Sequence, residues 1–348
     1  MKSNHRENLS YYFFHACKSI KILILDINII NNSLYLILYT YMSNTFIISN
    51  NEMSEGLFGM VILWIFEVLP ILENNNVDIS TLKWNISTAS YGAIFPNLLE
   101  YNSEYVSPEK INKNDKIVKL FGLRKESRQY VLGDDFNKLH NLFFKYFKIP
   151  KNIQQIADQY DLNNYLGLHF RGTDKTRDTI MNNPLSKSDF YIIIDSFIKA
   201  NTGITNVFLA TDENDILSYL KNKYTHINFI TSRDVKNNLF WRNNIDVIRN
   251  GTEAMVDMLC LSKCKIVLKI SSALSSFSKL INPNLNIYRL NALKMFVDIP
   301  YFPDAYIPLL EKNECYTDEC NKILDKIQQN DWSITHEQKF NNFYYKLR

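Results

Sequence analysis

The chain has 348 residues, 46% of them hydrophobic and 22% charged, an ordinary balance for a folded globular protein. Its net charge of only +3 argues against long nucleic-acid tracking, which needs a strong basic excess, and leaves room for one local basic pocket. At roughly 150 residues per domain, the length predicts two domains.

Residues 1–42 form an uncertain N-terminal extension. The stretch "KSIKILILDINIINNSLYLILYTYM" is apolar, but Asp26, Asn28, Asn31, Asn32 and Ser33 interrupt it. A membrane span needs about 20 mostly apolar residues with few polar breaks. The stretch also lacks the short apolar core and small-residue cleavage site of a secretory signal. A strand pair, or sequence upstream of a later start at Met42 or Met53, suits it better. The expected location is cytoplasmic, and any membrane association rests on this segment alone.

Residues 43–150 read as a first α/β domain. Thr45 to Ser49 is a candidate strand, a loop carries Gly56 and Gly59, and an apolar helix is expected over 60–72. "DISTLKWNIST" and "KIVKLF" are further candidate strands. Over 134–147, apolar Phe136, Leu139, Leu142, Phe143, Phe144 and Phe147 recur at helical spacing, and Pro150 marks a boundary. Phe58, Trp64 and Phe66 read as core. Glu55 beside Gly56 reads as a solvated loop residue or a base from this domain.

Residues 151–300 alternate short apolar strands with helices: "YLGLHF", "SKSDFYIIIDSFIKAN", "NVFLAT", "ENDILSYLKNKY", "INFIT", "GTEAMVDMLCLSK", "KIVLKI", "SALSSFSKLI", "NLNIYRL". Such alternation predicts a doubly wound parallel sheet. Ser186 is the expected N-cap of the first helix, with Asp189 three residues on as a helix cap. Residues 301–348 form a C-terminal helical segment. Five cysteines, sparse and odd in number, are no disulfide framework. Cys260 and Cys264 read as buried thiols, and Cys315 and Cys320 admit a local bridge. No His accompanies either pair, so zinc is not expected.

In a doubly wound sheet, ligands bind at the carboxyl ends of the strands. Here one strand runs into His169, Phe170 and Arg171, with Gly172, Asp174 and Lys175 following. A second ends in Thr211, Asp212 and Glu213. A later one ends in Ser271 and Ser272, just before a helix. An Arg fork, an ammonium, hydroxyls and a helix N-terminus suit a diphosphate. Gly172 allows a tight turn beside the ligand, and Asp174 can fix the Arg171 rotamer. The glycine fingerprints of dinucleotide-binding and P-loop proteins are missing. Side chains would therefore hold the diphosphate, as in a two-domain nucleotide-sugar transferase.

"GLHFRGTDK" resembles the first signature of the fucosyltransferases that include the core α-1,6-fucosyltransferase and the nodulation-factor enzymes, within the wider protein O-fucosyltransferase superfamily. "NVFLATDENDILSYLKNKY" is similar to that family's second block. "GTEAMVDMLCLSKCKIVLKISSALS" resembles the third. The resemblance runs from about Leu166 to Leu290. It implies a GT-B-like fold: two Rossmann-like α/β domains facing a cleft, the C-terminal one a doubly wound parallel sheet that binds the donor. It further implies GDP-fucose as donor, a glycan or glycolipid acceptor, inversion at the sugar carbon, and no cofactor or metal. No nucleic-acid partner is implied.

Carried over by residue, the resemblance has Arg171 hold the β-phosphate and stabilise departing GDP, aided by Lys175. His169 and Asp257 contact the guanine end, Asp174 braces the loop and Ser272, beside Ser271, meets a phosphate. Thr211 and Asp212 line the donor sugar or the Arg171 loop. Three positions depart from the family pattern. Gly172 stands where the core-fucosylating branch often has a second Arg. Thr179, beside Asp178, stands where it has a Glu, which makes Asp178 the candidate general base. Lys269 stands where a neutral residue is usual, and could restore the missing charge. Asp178 also reads as a loop carboxylate pairing with Arg177, and Asp257 as a buried polar residue with a local partner. Another nucleotide-sugar donor on the same fold, or a non-catalytic carbohydrate- or nucleotide-binding protein, are the alternatives.

Overall fold

A computed structural model describes residues 46–49, 58, 83–85, 87–88, 92–94, 97–101, 116–119, 135–172, 185–232, 247–292, 303–329 and 331. The expected helix over 60–72, Gly56, Gly59, Glu55, Trp64, Phe66 and residues 1–42 lie outside them.

In the first half, β1 (Phe46–Ser49) lies between β2 (Lys83–Asn85) and β6 (Lys116–Lys119) in a parallel three-stranded sheet. All three strands fall within segments the sequence marks as strands. β3 (Ser87–Thr88) pairs antiparallel with β4 (Gly92–Ala93), and β5 (Glu100–Tyr101) with β7 (Phe147–Lys148).

The helix expected over 134–147 is α1 (Phe136–Tyr146). Asp135 caps it, accepting from the Lys138 N–H at 2.9 Å. Phe136, Leu139, Phe143 and Tyr146 form its buried stripe. Phe143 is wholly buried and meets Phe277 edge-on at 5.2 Å between centroids. Cutting it to Ala costs about 3–5 kcal/mol. Phe58 joins the same core, 5.7 Å from Phe277. Pro150 follows the end of that helix, as expected, and is also the N-cap of a further helix, α2 (Lys151–Asp158), which the sequence did not mark. Proline suits a helix start because the first N–H groups have no intrahelical partner.

The second half is the parallel sheet. Its strands are β8 (Leu166–Phe170), β9 (Asn206–Thr211), β10 (Asn228–Ile230), β11 (Ile266–Lys269) and β12 (Asn286–Arg289), in spatial order β10-β9-β8-β11-β12. The chain winds outward from β8 to β10, then returns to place β11 on the other side of β8. This reversal between β8 and β11 is the switch point where such sheets open a crevice.

Helices cover both faces. α3 (Lys187–Ala200), α4 (Asn214–Lys223) and α7 (Asp318–Gln328) pack on Leu166, Leu168 and Phe170. α5 (Val247–Lys263) and α6 (Ala273–Ile281) cover the opposite face with α1 and α2. All five residues of β8 are therefore buried, as central parallel strands require. Ser186 caps α3, accepting from the Asp189 N–H at 3.0 Å, as expected.

The C-terminal segment belongs to this core. Leu310, Tyr316, Cys320, Leu324 and Ile327 are buried with the α3 side of the sheet. Residues 308–310 run beside β12: the Arg289 N–H donates to Pro308 O at 2.8 Å, and the Leu310 N–H to Arg289 O at 2.7 Å. Cys260 and Cys264 are buried, as expected. The local bridge in "NECYTDEC" is not formed. Cys315 is exposed while Cys320 lies on the buried stripe of α7, and both are free thiols. Among the described residues, no helix is long and apolar enough to cross a membrane.

Candidate functional site

The sequence-predicted residues that can be placed lie along the carboxyl edge of the sheet. β8 contributes His169, Arg171 and Gly172. His169 is 4% exposed and shares a face with Gly167, toward α5 and α6. Gly167 is required for close packing: an added Cβ would stand 2.9 Å from Val267 Cγ2 and 3.1 Å from Cys264 Sγ. Arg171 emerges half-buried at the strand end.

β9 contributes the support for that turn. The Gly172 N–H donates to Asp212 Oδ1 at 2.9 Å, and the Glu213 N–H to Thr211 Oγ1 at 3.1 Å. Of the two roles open to Thr211 and Asp212, the geometry places Asp212 on the Arg171 loop. Gly172 serves space. A Cβ there would run into the Glu213 side chain, with Cδ at 2.8 Å and Cγ at 2.9 Å. Lys187 holds Glu213 in place at 2.7 Å and also pairs with Asp215 at 2.8 Å. Gly172 is thus backed by a carboxylate.

Beyond β10, Ser232 donates its hydroxyl to Asp257 Oδ1 on α5. Asp257 is 1% exposed, and Ser232 is its neighbour there. The Tyr160 hydroxyl donates to Ser232 O at 3.4 Å. Burial, with Cys260 and Asp257 nearby, raises the Tyr160 pKa and keeps it a donor.

On the other side of β8, the turn after β11 carries Ser271 and Ser272, each 3% exposed. Ser272 is the N-cap of α6, in extended conformation, and its side chain caps no N–H. Neither hydroxyl has a hydrogen-bond partner among the described residues. Asn291, after β12, fixes the turn by accepting from the Ser271 N–H at 2.8 Å. Buried polar atoms are nearly always hydrogen-bonded. Two bare hydroxyls at the start of a helix, whose first N–H groups have no intrahelical partner, form an anion-receptive turn. At about 4.8 Å per strand, the edge from β10 to β11 spans about 14 Å. That suits a ligand with two separated ends better than a lone phosphate.

Lys269 does not supply the missing charge. It is fully buried, ion-paired with Asp304, and donates to Ser276 Oγ at 2.7 Å. Asp174, Lys175 and Asp178 lie outside the described residues. Asp304, Asn291, Ser232 and the pair Arg289–Asp331, joined at 2.8 Å and almost fully buried, were not foreseen from the sequence. One signal was available: Lys269 and Arg289 each stand at an apolar-patterned position of a strand.

Fold and edge together define a doubly wound α/β protein with an anion-receptive carboxyl edge. No family model and no curated protein matches the chain. Solved structures do. The fucosyltransferase NodZ from Bradyrhizobium is similar with a TM-score of 0.41 at 14% identity, over 71% of this chain and 96% of that one. FUT1 of Arabidopsis thaliana in complex with GDP gives a TM-score of 0.46 at 11% identity, over 72% and 70%. POFUT1 in complex with GDP gives 0.44 at 12%, over 71% and 99%. At such identities and scores the likeness carries no argument about chemistry, which rests on the residues at the sheet edge.

Proposed function

We propose that the chain is an inverting, metal-independent glycosyltransferase that moves fucose from GDP-fucose to a hydroxyl of a glycan or glycolipid acceptor. In this reading the fold is GT-B-like: the sheet built from β8 to β12 binds the donor, and the domain that includes β1, β2 and β6 faces the acceptor. The observation that carries the reading is the Ser271–Ser272 turn. It offers two buried hydroxyls that have no hydrogen-bond partner among the described residues, and a helix start, one strand away from Arg171. The three sequence blocks resembling fucosyltransferases contain the ends of β8, β9 and β11.

The chemistry follows from charge. The acceptor oxygen attacks the anomeric carbon from the face opposite the diphosphate. The bond from that carbon to the phosphate oxygen breaks, and its electron pair leaves with GDP. Arg171, with Lys175, meets the growing negative charge on the β-phosphate, together with Ser272 and the start of α6. Preorganised donors of this kind are worth several kcal/mol each in a water-poor site. Asp178 takes the acceptor proton. His169 and Asp257 read the guanine end, and Asp212 keeps the Arg171 turn closed.

Thermal shift with GDP, UDP and CMP, followed by turnover of GDP-fucose, tests the reading. GDP should stabilise the protein most, and acceptor-dependent release of GDP should persist in EDTA. Equal shifts for the three nucleotides sink the guanine assignment. Turnover lost in EDTA and restored by Mg²⁺ or Mn²⁺ overturns metal independence.

A further inference from the structure

Asp304 begins a short 3-10 turn (Asp304–Tyr306) after Pro303, and its side chain is completely buried. It reaches two elements at once. It pairs with Lys269, the last residue of β11, and accepts from the hydroxyl of Ser276, in the first turn of α6. Lys269 also donates to Ser276 Oγ at 2.7 Å. The Ser276 hydroxyl lies 3.1 Å from the carbonyl of Ser272, and the Ser276 N–H donates to that carbonyl at 3.2 Å. The polar network therefore starts at one end of the Ser271–Ser272 turn, passes through a carboxylate from a distant loop, and closes on the other end.

Burying a Lys and an Asp is a poor route to stability, since an apolar pair of like volume commonly does as well. What a charged, hydrogen-bonded bridge provides is fixed geometry. The strand end and the helix start are locked at one separation, and the turn between them cannot relax. We propose that Asp304 is a positioning residue for the diphosphate turn. By bridging Lys269 and Ser276, it holds the Ser271 and Ser272 hydroxyls and the start of α6 where a nucleoside diphosphate is received. The proposal rests on the donor reading above. Asp304 touches no substrate and acts through the turn.

The test separates position from stability. Lys269→Met combined with Asp304→Leu removes both charges of the pair together, so the fold should be retained. Ser276→Ala removes only the hydroxyl that joins Asp304 to the turn. GDP binding is measured by calorimetry beside the melting temperature, for the full chain and both variants. The expected result is wild-type GDP binding that weakens about tenfold in each variant, the scale of one net hydrogen bond, while melting temperatures stay within a few degrees. GDP affinity within twofold of wild type in the folded variants overturns the positioning role and leaves the donor reading standing. If the double variant does not fold, Ser276→Ala decides alone. A wild-type protein that binds no GDP overturns the donor reading and this proposal with it.

Discussion

Lys269 and Arg289 stand directly opposite each other at the ends of β11 and β12, and neither reaches solvent. Each is neutralised from the C-terminal segment, Lys269 by Asp304 and Arg289 by Asp331. The Arg289 guanidinium also donates to Ile307 O at 2.9 Å and Asn291 O at 3.1 Å. Removing one partner of such a pair is far more costly than removing both. Asp331→Ala should lower the unfolding free energy by about 3–5 kcal/mol. Arg289→Met with Asp331→Leu should recover most of that. Urea denaturation of both variants checks it, and a small loss for Asp331→Ala alone would refute the buried-pair account.

Arg171 carries the transition-state argument. Arg171→Ala should remain folded, because the residue is half-buried at a strand end, and should lose about 10²–10³ in kcat. Arg171→Lys keeps the charge without the fork, so it should recover only part of the rate. Near-normal turnover by folded Arg171→Ala would remove Arg171 from the leaving-group role.

Gly172 is set by the Glu213 side chain. Gly172→Ala should destabilise by about 1–3 kcal/mol, because Glu213 must leave Lys187 to make room. Adding Glu213→Ala should make the second substitution cheaper than it is alone, a coupling read from a double-mutant cycle. Strict additivity would show that the two side chains do not compete for one space.

Thiol reactivity should be sharply unequal. Cys315 is exposed, whereas Cys260, Cys264 and Cys320 are buried. Burial, with Asp257 nearby, pushes the Cys260 thiol up to about 12. Burial raises Cys264 and Cys320 as well. Alkylation of the native protein at pH 8, mapped by mass spectrometry, should label Cys315 and spare these three until denaturant is added.

Acid should weaken the α3–α4 packing through Asp195. Burial opposes its charge, but hydrogen bonds from Lys199 and Tyr224 and the charge of Lys223 hold its carboxyl below the usual range. The Tyr224 hydroxyl donates to it at 2.6 Å. A depressed carboxyl contributes stability above its unfolded pKa of about 3.9, and loses it as pH falls through the lower folded value. Asp195→Asn should therefore cost about 1–2 kcal/mol at pH 7 and almost nothing at pH 2. A constant difference across that range, in denaturation at several pH values, would contradict the assignment.

Much of the fold was legible because parallel strands are apolar along their whole length. "YLGLHF", "NVFLAT" and "KIVLKI" yielded β8, β9 and β11 in chain order, and Ser186 was readable as a cap from its neighbours alone. What failed was long-range or weakly patterned. Pro150 marked the boundary after α1, but α2 beyond it buries only Ile153 and Ala157, too few to show as a helical stripe. The partners of Lys269 and Arg289 lie 35 and 42 residues away, so no local spacing connects them. The site was legible as a set of residue types at strand ends. Its supports, Glu213 against Gly172 and Asn291 on Ser271, depend on which strands are neighbours, and that is fixed only by the assembled sheet.

The late position of Asp304 and Asp331 has a consequence for synthesis. A nascent chain that has emerged only as far as residue 292 already contains every strand from β8 to β12, but not Asp304 or Asp331, the carboxylates that pair with Lys269 and Arg289. It would also lack residues 308–310 beside β12, leaving that border open to another chain. Both ion pairs can therefore form only after all five strands have been made. Until residues 308–310 follow, the outer border of β12 is the part of the described sheet most open to pairing with another chain.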